Sequence, residues 1–350
     1  MEAGASSEKI SKTFKDLSIL EEEFLKVEIA SSEYPFCVLY IYGMLISKPA
    51  RRKEHALKPL YNKRQKLLDS LEGFWPIVFQ NAPDELAQFF TPLDLEILST
   101  LKSFNVERYQ IDSETQGEPR SVRFTFEFSS NEYLEDKVLV KEVEYRSGPG
   151  VSEGFVSTPV PIEWKNKKVD PTRGLLNGAF ELYQAEQTLN NEGDEVDPVE
   201  RESLWQNEKL RDLLDKEDET DEDLSFFCWF GFRGAILKPD ADTPEDDDED
   251  DSDDEPETMI DVEIFPAGEE LTISLAEDLW PTAPVSFTEA LMEREDDDEE
   301  DSDELMGDGD EESEDDIPEF VPAHEVERPN KKRRTGRPSD SSSRPAKPRR

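Results

Sequence analysis

Long runs of acidic residues limit which parts of this chain can form a folded core. Asp and Glu dominate residues 240–261, and 17 of the 24 residues from 293 to 316 are acidic. Runs of this composition bury too little apolar surface to offset the entropy lost on ordering. We therefore predict a disordered acidic insert at 240–261 and a disordered acidic tail at 292–320. The folded part is expected to be shorter than the 350-residue chain.

Short apolar segments lie between these acidic runs. The most concentrated is FFCWF at 226–230, and LAEDLWP follows at 275–281. Loop-closure entropy grows slowly with loop length, so a long acidic insert between two packed segments costs little. We predict that both apolar segments pack on a sheet as part of one core, with the acidic insert outside it.

Strand signals occupy the middle of the chain. In SVRFTFEF (121–128), apolar and polar residues alternate strictly, which predicts a half-buried antiparallel strand. Turn-rich stretches separate this segment from other predicted strands, as a meander requires. These strands are expected at about 103–111, 137–145 and 160–165. With helical segments before and after them, the pattern predicts an α+β fold built on a four-stranded antiparallel sheet flanked by helices.

Two helical segments precede the sheet. From Ile10 to Val27 apolar residues recur at steps of three and four, and a second helical stretch covers about 51–71, with a kink expected at Pro59. The apolar stripe from Ile10 to Val27 is consistent with packing on its own domain or with a coiled-coil-like dimer seam. Residues 1–9 are predicted to be disordered, as is a polar linker at about 190–222, within which ESLWQNEKLRDLL (202–214) is consistent with a short helix.

The apolar segment 31–49 interrupts these two helices. It is rich in aromatic and β-branched residues, and its apolar run of thirteen residues is too short to span a bilayer comfortably. It is consistent with a buried strand, a hydrophobic loop or translated intron sequence. We favour the third interpretation, because deletion would join EEEFLKVEIA to ARRKEHALKP as one charged helix. No membrane segment is predicted.

The charge of the chain indicates the chemistry of its partners. The 40 Lys and Arg against 86 Asp and Glu give a net charge of −46. Such a chain attracts cationic proteins and lacks the positive charge that nucleic-acid binding requires. The two histidines, His55 and His324, show no metal-ligand or catalytic spacing, and Cys37 and Cys228 are expected to be reduced buried thiols. We predict no enzyme activity and no cofactor.

Five segments in order resemble the nucleosome assembly protein family, and the closer likeness is to its SET-type branch. The segments are KRQKLLDSLEGFW (63–75), FTFEFSSNEYLEDKVLVKE (124–142), IEWK (162–165), SFFCWF (225–230) and AEDLWP (276–281). The resemblance covers most of 10–30 and 51–291. It implies a long N-terminal helix at 10–71 that pairs two chains, followed by an "earmuff" histone-binding domain at 72–291.

The resemblance also implies a function. It predicts a homodimeric histone chaperone without catalysis, acting by shielding core histones from nonspecific DNA contact and promoting nucleosome assembly. By family likeness, six carboxylates are expected to orient the histone: Glu135, Asp136, Glu142, Glu144, Glu277 and Asp278. The alternative is an acidic adaptor or regulator that docks on a histone-modifying enzyme, such as an acetyltransferase, or on a phosphatase. Sequence-specific nucleic-acid binding is not expected.

The chain departs from the family pattern at segment 31–49, at the acidic insert and at its basic end. Residues 321–350 are predicted to form a disordered basic tail, in which NKKRRTGRP resembles a nuclear import signal. Its expected core is Lys331, Lys332, Arg333 and Arg334. The prediction is a nuclear protein, with shuttling to the cytoplasm left open. The same tail is also suited to neutralising the acidic tail within the chain.

Overall fold

The computed structural model describes residues 2–31, 43–148, 151–190, 203–220, 223–234 and 262–304. Met1–Glu300 form one compact unit, and of a second unit, Asp301–Arg350, only residues 301–304 are described. The chain order of the elements is helices, then a sheet, then helices. The bounds are α1 Glu2–Ser31, α2 Gly43–Leu68, α3 Phe74–Gln80, α4 Asp84–Ala87, α5 Pro92–Leu98, β1 Leu101–Glu107, β2 Val122–Phe128, β3 Val138–Gly148, β4 Val151–Ser157, α6 Leu175–Asn190, α7 Trp205–Asp218, a 3₁₀ helix Phe226–Gly231, α8 Gly268–Ile273, a π-helical turn Ser274–Leu279 and α9 Trp280–Glu304.

The sheet is a four-stranded antiparallel meander in the order β1-β2-β3-β4. Residues of β2 alternate between buried and half-buried along its whole length, because successive side chains of a strand point to opposite faces. The buried face carries Phe124 and Phe126, and the other face is open. The α+β fold with a four-stranded antiparallel sheet is therefore confirmed.

The aromatic block 226–230 is core, as its composition predicts. All six residues of the 3₁₀ helix are buried, and the Trp229 ring packs edge-on against Phe124 at 5.1 Å between ring centroids. The buried Asp94 carboxylate of α5 fixes the start of this helix, since it accepts hydrogen bonds from Ser225 Oγ (2.6 Å) and Phe226 N (2.9 Å). The indole of Trp229 donates to the Gly268 carbonyl at 3.2 Å, so the segments on either side of the acidic insert meet in the core.

Among the described residues, one lysine side chain lies inside the core. Lys141 of β3 is fully buried, and its ammonium donates to the carbonyls of Thr158 (2.9 Å), Phe230 (2.9 Å) and Phe232 (2.8 Å). Burial lowers the pKa of Lys141 to about 7, an effect that the nearby Glu263 carboxylate opposes. This lysine joins the sheet to the aromatic block through the Phe230 carbonyl. Its three hydrogen bonds satisfy its three donors.

Helices α1 and α2 pack against each other in antiparallel orientation. The ion pairs Lys53–Glu28 (3.3 Å) and Lys63–Glu23 (3.1 Å) set this direction, because the later residue of α2 meets the earlier residue of α1. Four buried side chains form a small core between the helices: Leu20, Phe24, Leu57 and Leu60. The two helices therefore form a helical hairpin within one chain.

This hairpin revises the expectation for 10–71 and for the segment that interrupts it. Helix α2 begins at Gly43, so residues 43–49 belong to a helix, and α2 continues through Pro49 and Pro59. Residues 32–42 lie outside the described part of the chain. Where the sequence predicts one interrupted helix, the structure has two helices that fold back on each other, because each has an apolar stripe that the other covers.

The fourth strand was misplaced by the sequence prediction. Residues 160–165 form no strand, and Leu134–Trp164 is only an isolated bridge. The edge strand is instead β4, which pairs with β3 and places Phe155 and Val156 in the core. Gly154 inside β4 weakens its strand signal, which explains why the sequence did not indicate it.

Parts of two segments predicted to be disordered are helical in the structure. Helix α1 begins at Glu2 rather than near Ile10, and α9 extends to Glu304. In both cases the packed part of the helix supplies the nucleus, and adding residues to a formed helix costs less than starting one. Within the predicted linker 190–222, the short helix indicated at 202–214 is present as α7, which buries Leu210. The acidic insert from 240 to 261 lies outside the described residues.

Candidate functional site

The open face of the sheet carries a row of charged side chains across three strands. Arg123 of β2 lies between two carboxylates, with its Nη1 at 3.2 Å from Glu107 of β1 and its Nε at 2.7 Å from Glu142 of β3. The register places these residues side by side, since Glu107 pairs with Arg123 and Arg123 with Glu142. The predicted residue Glu142 is therefore on this surface and is already partly neutralised.

The remaining carboxylates of the open face are paired in the same way. The predicted residue Glu144 is 3.0 Å from Arg146, and Glu127 is 2.6 Å from Lys102. Between these pairs, Val138 and Val140 are 49% and 37% exposed. The face thus combines exposed apolar surface with carboxylates that can exchange one cationic partner for another, because exposed ion pairs contribute little stability.

Glu135 and Asp136 lie in the connection that leads into β3. The backbone N–H of Glu135 donates to the Glu163 carbonyl at 2.9 Å, and the Asp136 carboxylate accepts from the Glu163 N–H at 2.6 Å. Glu135 is exposed, whereas Asp136 serves to hold two connections together. Six residues of strand separate Val138 from Glu144, about 20 Å at the usual rise. The structure therefore does not bring Glu135 and Asp136 together with Glu144.

Glu277 and Asp278 are exposed on the π-helical turn between α8 and α9. The Glu277 carboxylate forms an ion pair with Arg108, which directly follows β1. Since Glu107 belongs to the charged row on the sheet, Glu277 lies next to the end of that row. The predicted residues Glu142 and Glu277 are thus parts of one continuous surface.

A polar cleft of about 300 Å³ adjoins this surface and is not predicted by the sequence analysis. It lies between the helical hairpin, β1 and the π-helical turn. Glu54 of α2 faces it, and burial raises the pKa of this carboxyl, an effect that Arg108 and Lys53 oppose. One local feature of the sequence could have drawn attention to Glu54: it is the one acidic residue in the strongly basic sequence of α2.

The remaining expectations concern metal, thiol and membrane chemistry. Within the described ranges, no group of three or more His, Cys, Asp or Glu residues is arranged to hold a metal ion. Cys228 is a free thiol in the core, and burial raises its pKa well above the usual range. No helix in the described part of the chain is both long and apolar enough to cross a bilayer. Cys37, His324 and the segment Lys331–Arg334 lie outside the described residues.

Comparison with solved structures finds chains of similar extent. A crystal structure of Ccp1 is 26% identical, with a TM-score of 0.40, over 80% of this chain and 96% of that chain. The crystal structure of the Vps75 histone chaperone is 20% identical, also with a TM-score of 0.40, over 80% and 99%.

Sequence comparison places the chain in a family. A Schizosaccharomyces pombe protein named as a nucleosome assembly protein is 27% identical over 300 residues, 83% of this chain and 85% of its own length. Protein SET of Drosophila melanogaster is 31% identical over 125 residues, 35% of this chain and 44% of its own length. The family model for nucleosome assembly protein (NAP) matches residues 18–290, well over half of the sequence. This chain belongs to the nucleosome assembly protein family.

Proposed function

We propose that this protein is a histone chaperone that binds core histones through acidic surfaces and tails. The observation that carries the proposal is the uneven distribution of its negative charge. On the open sheet face, Glu107, Glu142, Glu144 and Glu127 each have an Arg or Lys partner. The acidic runs are different, since 14 of the 22 residues from 240 to 261 are acidic and that run contains no Lys or Arg.

The mechanism follows from competition for cations. Histones bind DNA by replacing phosphate counterions with Lys and Arg. A carboxylate-rich chaperone occupies the same side chains, and so it prevents nonspecific DNA contact until better-ordered nucleosomal contacts form. The acidic runs supply long-range attraction, which salt screens within about 8 Å at physiological ionic strength.

The folded surface has a different role in this proposal. Its carboxylates are held by Arg123, Arg146 and Arg108, so their positions are defined. A histone side chain that replaces one of these arginines is therefore bound in a fixed place. Glu142, Glu144 and Glu277 fit this orienting role, whereas Asp136 is engaged by backbone and fits it less well.

The other proposals concern assembly and location. Homodimerisation through α1 stays a prediction, and Ile19 and Leu25, both 56% exposed, provide apolar surface for it. Nuclear import through Lys331–Arg334 is proposed from sequence alone. Docking of an acetyltransferase or phosphatase is the competing function, and the exposed Val138 and Val140 favour some protein partner on the sheet face.

A truncation tests the histone proposal. We expect a chain that ends at Leu291 to remain folded and to bind purified core histones, but more weakly than the full chain at low salt. The reason is that the truncation removes the 17 acidic residues of 293–316, while the sheet face and the 14 acidic residues of 240–261 are retained. The measurement is a pull-down with core histones at stepped salt, comparing both chains.

The outcomes separate the two functions. Saturable, salt-sensitive binding with relief of DNA competition supports the chaperone. A stable truncated chain without any histone binding would place the site wholly in the tail. Binding only to a non-histone enzyme by the full chain would favour the adaptor.

A further inference from the structure

The polar cleft beside the sheet is built from four separate elements. Its walls come from α1 (Glu28), α2 (Lys53 to Asn62), the end of β1 with Arg108 and Ile111, and the π-helical turn with the start of α9. The π-helical turn shapes one wall, because it carries Ala276 and Glu277 into the cleft and brings Glu277 to Arg108. Insertions of this kind in helices often occur at functional sites.

A proline in α9 and a buried arginine of α2 hold the same wall of the cleft in place. Pro284 has no N–H, so the carbonyl of Trp280 lacks its helical donor. The buried guanidinium of Arg64 supplies it, donating Nη2 to the Trp280 carbonyl and Nη1 to the Pro281 carbonyl at 3.2 Å. The cleft wall is thus tied to α2 by a side chain in the core.

The charges that line the cleft do not balance. Three cations are each paired with an acid: Lys53 with Glu28 at 3.3 Å, Lys58 with Glu107 at 3.2 Å, and Arg108 with Glu277. The fourth acid, Glu54, forms no hydrogen bond or ion pair with any residue in the described part of the chain. A partly buried carboxylate without such a partner is costly, since it has lost water without gaining a donor.

A second polar group in the cleft also lacks a partner. Trp280 lines the cleft and is 4% exposed, and its indole N–H has no acceptor among the described residues. Tyr61 packs against it with 4.8 Å between ring centroids. The site therefore offers one free acceptor and aromatic walls, with the buried indole N–H of Trp280 inside one of them.

We propose that this cleft binds a single Arg or Lys side chain of a basic polypeptide, with Glu54 as its counter-ion. The proposal deepens the function proposed above and rests on it for the choice of a basic polypeptide. The Glu54 carboxylate receives the cationic group, and the walls formed by Tyr61, Ile111 and Trp280 contact its aliphatic stem. Long basic side chains suit such a site, because their stems pack on apolar surface.

The charge pattern argues for a cation over other ligands. An anion would meet Glu54 at close range and would find Lys53, Lys58 and Arg108 already paired. A neutral ligand would leave the Glu54 carboxylate without a charged partner. One cationic group completes a fourth acid–base pair and leaves the lining neutral.

The test uses the full-length chain and two short peptides that differ in one group. One is a capped, otherwise neutral peptide with a single arginine, and the other replaces that arginine by citrulline, which has the same shape without the charge. Binding is followed by the NMR signals of the tryptophan indole N–H groups, with Trp280 assigned from the Trp280→Phe variant. We expect the arginine peptide to shift the Trp280 signal and to bind at least ten-fold more tightly than the citrulline peptide.

The variant Glu54→Gln should abolish that ten-fold preference, whereas Glu208→Gln should retain it. Glu208 is an exposed carboxylate of α7, outside the cleft, so the control removes the same charge. Equal binding of the two peptides by the wild type, or a preference that survives Glu54→Gln, would overturn the proposal. If Glu54→Gln fails to fold, the wild-type comparison of the two peptides decides alone.

A parallel pull-down with intact core histones keeps the two proposals apart. A wild-type chain that binds histones without preferring the arginine peptide refutes the cleft and leaves the chaperone function intact. A chain that prefers the arginine peptide but does not bind histones supports the cleft and refutes the histone assignment.

Discussion

The core around the sheet is much larger than the core between α1 and α2. Among the described residues, 43 buried apolar side chains form the sheet core, whereas four form the hairpin core. Ion pairs also stabilise the hairpin, unlike the sheet core. Glu23 and Glu28 of α1 pair with lysines of α2. Exposed ion pairs of this kind contribute at most about 1 kcal/mol each.

This difference separates global from local stability. Loss of one aromatic side chain from the sheet core affects the whole cooperative unit, while loss of the hairpin contacts loosens α1 from α2 and leaves the sheet packed. Phe14 and Leu17 still hold the first half of α1 on the sheet core. We therefore expect substitutions in the two cores to change different measurements. The sheet core should govern the melting temperature, and the hairpin should govern which chains associate.

The largest effect should come from the aromatic block. Trp229→Ala and Phe230→Ala each remove a fully buried ring, and each should lower the unfolding free energy by about 3–5 kcal/mol. We expect the double variant to be unfolded or strongly destabilised, as measured by circular dichroism during thermal and urea denaturation.

Histone affinity is the control for this prediction. If the double variant melts like the wild type and has lost histone binding, the block is a contact surface and its assignment to the core is wrong. A matched substitution on the surface is Trp205→Ala in α7, because Trp205 is 62% exposed and should change stability little.

A smaller global effect is expected from the buried lysine. Lys141→Met retains much of the side-chain volume but removes one donor from each of three carbonyls. The Thr158 carbonyl loses the one donor shown for it, whereas the Phe230 and Phe232 carbonyls keep Val160 N–H and Ser157 Oγ as donors. The cost should be about 2–5 kcal/mol of unfolding free energy. The control is Lys102→Met, because Lys102 is an exposed residue of β1 whose removal should change stability little. Equal destabilisation by the two variants would contradict the role assigned to Lys141.

The same lysine should make stability depend on pH. Its pKa is about 7 in the folded chain against an ordinary value of 10.5, so between these values the unfolded chain binds a proton that the folded chain lacks. The unfolding free energy therefore rises with pH across this window and is flat below it. The stability difference between wild type and Lys141→Met should widen from pH 7 to pH 10. A difference that narrows over that range would show that the ammonium form is the stable one in the core.

The sequence predicts well those features that depend on local pattern. Strict alternation located β2, and the concentration of rings at 226–230 located the centre of the core. The sequence does not predict those elements whose position depends on partners distant in sequence. Strand β4 has little alternation of its own and is defined by pairing with β3.

The site was predictable to a similar degree. Family likeness placed Glu142 and Glu277, which the structure finds on one surface, but also Asp136, which holds a connection. The arginines that neutralise this surface were not anticipated, because the sequence does not show which charges face each other. The cleft at Glu54 requires four elements to meet, and no local pattern indicates such a meeting.

The last prediction concerns association rather than melting. Deletion of residues 31–49 joins Ala30 to Ala50 and would make α1 and α2 one continuous helix, which cannot fold back on itself. The side chains Leu20, Phe24 and Leu57 would then lose their partners within the chain, and the same antiparallel contact would be available only between two chains. We expect the deleted chain to be a dimer at all concentrations accessible to analytical ultracentrifugation, with histone binding retained and the melting temperature of the sheet core nearly unchanged.

The matched control replaces residues 32–42 by a Gly/Ser linker of the same length, which keeps the connection between Ser31 and Gly43. This variant should associate as the wild type does, because a flexible linker still permits the hairpin to close. Together the two variants separate the chemistry of the segment from its length. A monomeric deleted chain, with a linker variant that also loses association, would show that residues 32–42 themselves contribute to the dimer contact. The interpretation of the segment as a dispensable insertion would then be wrong.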